Sequence, residues 1–139
     1  NALKTVEINL LGTFLMCREV ARLMMKNSFG RIINFSSMAV KHEVKGEAIY
    51  TASKAAIISF TRVLAKELYP IGITCNVISP SAIETDLMSE IDENALNNVL
   101  SRNAVKTKGK MEDVSNTVDW LIKPDSEAIT GQVIYLGGV

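Results

Sequence analysis

The sequence predicts an α/β domain built on a parallel sheet, and three observations predict it. Short β-branched runs alternate with long amphipathic segments along the chain. The long segments carry apolar residues at steps of three and four, the period of a helix with one covered face. The short runs lead into polar loops, and the ligands of such sheets sit outside the carboxyl ends of the strands.

The elements follow in order. From Leu3 to Lys26, apolar residues recur at Leu3, Val6, Leu10, Phe14, Cys17, Ala21 and Met24, which defines one helix. Ile8, Leu11, Leu15 and Met16 widen its apolar sector, as expected of a helix covered on one side by a sheet and on another by a neighbouring helix or subunit. Asn27-Ser28-Phe29-Gly30 breaks it. Arg31-Ile32-Ile33-Asn34-Phe35-Ser36 is short and β-branched-rich and reads as a buried strand, followed by a polar loop over residues 38–48. A second helix runs from Ala48 to Tyr69, with small residues at Ala52, Ala55, Ala56 and Ser59 that permit close packing, and Pro70-Ile71-Gly72 ends it. Ile73–Ile78 is the next strand. Ser79-Pro80-Ser81-Ala82 then leads into a polar region, residues 83–110, with short helices expected around Leu87 and over Ala95–Leu100; functional lids have this composition. Glu112–Ile122 is amphipathic through Val114, Val118, Leu121 and Ile122, Pro124 blocks its continuation, and Gln132–Leu136 forms a third strand.

At 139 residues, 47% of them hydrophobic and 22% charged, the chain suits one domain with a real core. Fifteen basic and fifteen acidic side chains cancel without a basic run, which leaves no electrostatic case for nucleic acid or an anionic membrane. The expected partner is a small molecule or another copy of the chain. Cys17 and Cys75 lie in apolar stretches without metal-type spacing and read as reduced core thiols. No apolar run approaches the ~20 residues that span a bilayer, and the expectation is a cytoplasmic protein. The start, Asn1-Ala2-Leu3, has no initiator Met and enters helical patterning at once, so the chain reads as part of something longer.

The chemistry concentrates at Tyr50 and Lys54. At roughly 100° per residue, positions four apart differ by about 40° around a helix, so the phenol and the ammonium share a face. Arg62 and Lys66 mark the solvent side, which turns Lys54 toward the interior or a cleft. Free tyrosine, with a pKa of about 10, is a poor base near neutrality, and an adjacent positive charge favours its ionised form. A phenol tuned in this way donates a proton to a carbonyl oxygen or accepts one from an alcohol. Ser37, at the end of its strand, is placed to hydrogen-bond the same oxygen. A lone Tyr-x-x-x-Lys is usually a buried phenol and a snorkelling lysine. Adding Ser37 on a βα framework shifts the balance to proton transfer.

Together these segments resemble the short-chain dehydrogenase/reductases, in particular the group of 3-oxoacyl-acyl-carrier-protein reductases. The resemblance rests on Ile8-Asn9-Leu10-Leu11-Gly12-Thr13-Phe14, Gly30–Ser37, Tyr50-Thr51-Ala52-Ser53-Lys54, Asn76-Val77-Ile78-Ser79-Pro80 and Ile129–Ile134. It implies a Rossmann-like doubly wound parallel sheet, of which about three strands are present, and Tyr50 as the acid/base. It further implies that Lys54 lowers the pKa of that phenol and binds the nicotinamide ribose, that Ser37 holds the substrate oxygen, and that Asn9 supports a water through which Lys54 exchanges protons. Read alone, Asn9 is also compatible with a polar helix-interior residue making local bonds. Pro80, Ile83 and Thr85 match the portion covering the nicotinamide and pyrophosphate, although Thr85 also suits an exposed helix cap.

Two local departures stand out: Pro80-Ser81 where Pro-Gly is usual, and Leu136-Gly137-Gly138 where Asp-Gly-Gly is usual. A larger one is the missing Gly-x-x-x-Gly-x-Gly turn that meets the cofactor pyrophosphate. By resemblance the chain, residues 1–139, is the carboxyl-terminal part of one oxidoreductase domain lacking its first βαβ units, with 83–110 covering the substrate. The expected activity is hydride transfer between NADP or NAD and a carbonyl/alcohol pair, in a homodimer or homotetramer, with a 3-oxoacyl thioester, free or borne on acyl-carrier protein, as the favoured substrate and sugar-nucleotide, steroid-like and small polyol substrates left open. The alternative is a catalytically silent fragment or scaffold that associates through its long helices. His42 lies in a polar loop near the site and reads as a surface-loop residue, with substrate-cleft lining as the alternative.

Overall fold

Helix formation begins at the first residue, where the Asn1 side chain accepts a hydrogen bond from the Leu3 amide and caps α1 (Ala2–Val6). The fold is described from a computed structural model, for residues 1–84 and 93–138. α1 runs into a π-helical turn, Glu7–Leu11, and then into α2 (Gly12–Met24). The one long helix expected from Leu3 to Lys26 is therefore wound wider in its first half, with the Gly12 amide bonded to the Glu7 carbonyl five residues back. Cys17 and Ala21 form the buried stripe of α2. Leu3, Ile8, Leu11 and Met16 remain exposed, so the predicted apolar sector is covered only in part, by the sheet and by the helix over residues 48–68.

The strands are β1 (Gly30–Phe35), β2 (Ile73–Pro80) and β3 (Val133–Leu136), in the order β1-β2-β3 and all parallel. Gly30 pairs with Ile73, Phe35 with Ile78, and Val77 with Val133. β2 runs two residues beyond the predicted Ile78 because β3 pairs with it as far as Pro80. Residues 38–48, expected as a loop, contain a short helix, α3 (Ala39–His42). It forms because Ser37 Oγ accepts the Ala39 amide at 3.1 Å and the Met38 amide is tied to the Pro80 carbonyl at 3.0 Å.

α4 (Ala48–Leu68) follows, then a 3₁₀ turn, Tyr69–Ile71, and Gly72. Gly72 has φ +82°, and a Cβ there would stand 2.2 Å from the Ser28 carbonyl oxygen, so glycine alone makes this reversal. α5 (Glu93–Ser101) coincides with the short helix expected near Ala95–Leu100; the one expected around Leu87 lies outside the described residues. α6 (Met111–Leu121) starts where Asp113 accepts the Lys110 amide.

α2 and α4 pack on β1 and β2 through Cys17, Ala21, Ile32, Ala65, Leu68, Ile73 and Cys75. Within that layer Cys17 donates to Asn34 Oδ1, and Asn34 Nδ2 donates to Thr61 Oγ1 at 2.9 Å, a buried chain linking α2, β1 and α4. Alternation along the strand turns Thr74, Asn76 and Ile78 to the other face, where α6 packs and buries Leu121. Both cysteines are free and buried, as the sequence predicts. Among the described residues no helix is long and apolar enough to cross a membrane.

Candidate active site

The carboxyl end of β1 is sewn to α4 by two bonds of opposite sense. Ser36 Oγ donates to the Lys54 carbonyl at 2.9 Å, and Lys54 Nζ donates to the Phe35 carbonyl at 3.1 Å. Tyr50 lies one turn earlier on α4, and Lys54 Nζ stands 5.9 Å from the centre of its ring. Lys54 is half-buried, and burial pushes its ammonium below the usual lysine range. The Tyr50 hydroxyl makes no hydrogen bond among the described residues, which leaves it open to an incoming oxygen.

Ser37 follows β1. Its oxygen accepts the Ala39 amide, which orients the hydroxyl while leaving its own proton to donate. Ser37 and Tyr50 line one pocket of about 340 Å³, with Met38, Ala39, Ser81 and Leu96 around them. Asn9 and Lys54 line a second, open one of about 360 Å³, together with Ile33, Asn34 and Phe35 at the end of β1.

Asn9 sits in the π turn, and the widened winding aims its side chain at α4. Its Nδ2 donates to Ser53 Oγ at 3.1 Å, and that hydroxyl donates to the Tyr50 carbonyl at 2.7 Å. Asn9 thereby braces the turn that carries Tyr50. Its carbonyl accepts Thr13 Oγ1 at 2.7 Å. The sequence-predicted quartet is brought together in two pairs, Tyr50 with Ser37 and Lys54 with Asn9.

The remaining predicted residues divide. Pro80 ends β2 and fastens the chain after Ser37 through its carbonyl. Ile83 forms a parallel bridge with Gly109 and lines a third pocket, of about 520 Å³, beside Lys108 and Asn116 instead of Tyr50. Thr85 lies outside the described residues. His42 is not a loop residue: it closes α3, is half-buried, and its Nε2 is 2.7 Å from Asn103 Oδ1. Asn103 in turn donates to Ser81 Oγ at 2.6 Å. Nothing in the sequence relates positions 42, 81 and 103, whose contact is purely tertiary.

Comparison with known proteins gives consistent findings. A family model described as Enoyl-(Acyl carrier protein) reductase matches residues 1–138. The chain is 37% identical over 135 residues to the 3-oxoacyl-[acyl-carrier-protein] reductase of Rickettsia felis, with 97% of this chain and 56% of that protein covered. It spans about half the length of the curated relatives it matches. Among solved structures, NAD+-bound xylitol dehydrogenase matches with a TM-score of 0.90 at 26% identity, over 100% of this chain and 60% of that one. An actinorhodin polyketide ketoreductase with NADPH matches with a TM-score of 0.86 at 31% identity, over 99% of this chain and 57% of that one.

Proposed function

Because the chain belongs to the short-chain dehydrogenase/reductase family, we propose that the protein carrying it is an NAD(P)-dependent oxidoreductase that interconverts a carbonyl and an alcohol. The favoured substrate is a 3-oxoacyl thioester on acyl-carrier protein, by similarity to the relative from Rickettsia felis. The observation that carries this reading is the pocket shared by Tyr50 and Ser37, with the Lys54 ammonium one helical turn behind the phenol.

In reduction, the Tyr50 hydroxyl gives its proton to the substrate oxygen as that oxygen gains negative charge; in the reverse direction the phenolate takes the proton from the alcohol. Ser37 donates a hydrogen bond to the same oxygen and fixes its distance from Tyr50. Lys54 sets a positive charge where the phenolate forms. The depression between Asn9 and Lys54 would admit the water that passes protons from Lys54 to solvent.

A nicotinamide cofactor supplies the hydride when bound. The donors present suit it: Lys54 and Tyr50 would hold its ribose, with Pro80 beside them at the end of β2. NADP is favoured by similarity to the reductases. The exposed apolar side of α1, the π turn and α2 supports assembly into a homodimer or homotetramer, and two free thiols suit the reducing cytoplasm.

Tyr50→Phe in the full-length protein tests the assignment. It should lower kcat by about 100-fold or more while leaving the cofactor dissociation constant within about twofold. Near-normal turnover would sink it.

A further inference from the structure

Asn103 is a fully buried polar side chain beside the Tyr50 pocket, and both ends of its amide are used. It lies in the turn after α5, is 1% exposed, and donates through Nδ2 to Ser81 Oγ at 2.6 Å. With that nitrogen committed, Oδ1 faces His42 Nε2 at 2.7 Å, so the assigned donor of the second bond is His42. The turn is itself anchored: Lys106 Nζ donates to the Ser101 and Asn103 carbonyls, the Val105 amide to Gly137, and Arg102 to the His42 carbonyl. A Cβ on Gly137 would lie 3.2 Å from Asn103 Nδ2 and 3.3 Å from Ser81 Cβ, so a residue with a side chain there would crowd this contact. Ser81, one of the two local departures noted in the sequence, thus meets this amide directly.

These bonds join two neighbouring segments that line the pocket holding Tyr50, beyond the point where the Met38 amide already meets the Pro80 carbonyl. One wall segment is Ser37, Met38 and Ala39, continuous through α3 with His42; the other is Ser81 and Ala82 at the exit of β2. A buried amide satisfied at both ends holds its partners at fixed spacing, whereas a half-satisfied one is strongly unfavourable. We infer that Asn103 is a positioning residue, which through His42 and Ser81 fixes the separation of the two pocket walls and so sets which acyl chain fits beside the reacting carbonyl. The acyl substrate rests on the reductase reading; the coupling of the walls does not.

The test uses His42→Leu, His42→Gln and Asn103→Leu in the full-length protein, read by amide hydrogen exchange and by steady-state kinetics. The His42 and Ser81 amides are bonded to the Met38 and Leu136 carbonyls, so their exchange is slow enough to follow. His42→Leu should speed exchange at Ser81, on the other segment, by about tenfold, the scale of one lost buried hydrogen bond. His42→Gln, which keeps an N–H donor, should stay within about twofold, as should β2 amides in every variant. Asn103→Leu should change the ratio of KM values for long and short 3-oxoacyl thioesters by about tenfold, with kcat and cofactor affinity little altered. Should Asn103→Leu fail to fold, Ser81→Ala removes the same bond and should give the same shift. Unchanged exchange at Ser81 in His42→Leu overturns the coupling, whatever reaction the enzyme performs. Coupled exchange with an unchanged KM ratio overturns the specificity role. A wild-type protein that reduces no 3-oxoacyl thioester sinks the functional reading and the acyl specificity with it, while the exchange result alone decides the coupling.

Discussion

Replacing Lys54 by methionine removes one positive charge at nearly constant side-chain length. With Nζ 5.9 Å from the Tyr50 ring centre, Coulomb's law at an effective dielectric constant of about 20 gives about 3 kcal/mol between that charge and a phenolate. Lys54 is only half-buried, and solvent screening lowers the figure to about 2 kcal/mol, or roughly 30-fold in rate. The same change strips the Phe35 carbonyl of its donor, at a cost of about 1 kcal/mol in stability. The assay is NAD(P)H-dependent reduction of a 3-oxoacyl thioester by the full-length protein at saturating substrate, with urea unfolding measured in parallel. Lys54→Arg restores the charge with bulkier geometry and should recover part of the rate.

The pH dependence provides an internal check. Burial depresses the Lys54 pKa, so the wild-type rate should fall on the alkaline side at a lower pH than the ordinary lysine value of about 10.4, and Lys54→Met should lose that limb. Between the depressed folded value and the ordinary one the unfolded chain binds more protons. Wild-type stability should therefore rise with pH across that window relative to Lys54→Met. A Lys54→Met enzyme that keeps kcat within about threefold of wild type would refute the electrostatic argument.

Two further outcomes concern the scaffold. Burial, with Cys17 nearby, pushes the Cys75 thiol up to about 12; the unfolded chain ionises near 9, so stability should fall from pH ~9 to ~12 at up to about 1.4 kcal/mol per pH unit, and Cys75→Ala should flatten that slope in urea titrations. Gly72→Ala, with a methyl driven against Ser28 at positive φ, should destabilise the protein by about 2 kcal/mol or more by chemical unfolding; a change under about 0.5 kcal/mol would contradict the backbone geometry.

The helices and strands were legible because each has a period that burial enforces. Cys17 and Ala21 fall on the predicted stripe, and Ile32 and Cys75 meet in the core because alternate strand residues share a face. The pairing of Tyr50 with Lys54 was legible for the same reason, since helical spacing alone puts the two side chains together. The π turn was not: the helical spacing of Leu3, Val6 and Leu10 carries no mark of one wider turn. α3 was also hidden, because four residues have no period and this helix depends on Ser37 and on a tie to Pro80 from another strand. His42, Ser81 and Asn103 are brought together by α3, the exit of β2 and the turn after α5, and no local pattern encodes such a meeting.

The wider winding over Glu7–Leu11 sets the angular phase of everything that follows it. An additional residue in one turn offsets the downstream side chains by about 100° from where uniform winding would carry them. Asn9 can then address Ser53 while Cys17, two turns on, still meets Asn34. Excising one residue from this stretch would tighten the spiral and regularise its amide ladder, yet one of those two appointments would be missed. Along these five residues, the most regular backbone and the arrangement that steadies the turn carrying Tyr50 are different structures, and the chain keeps the second.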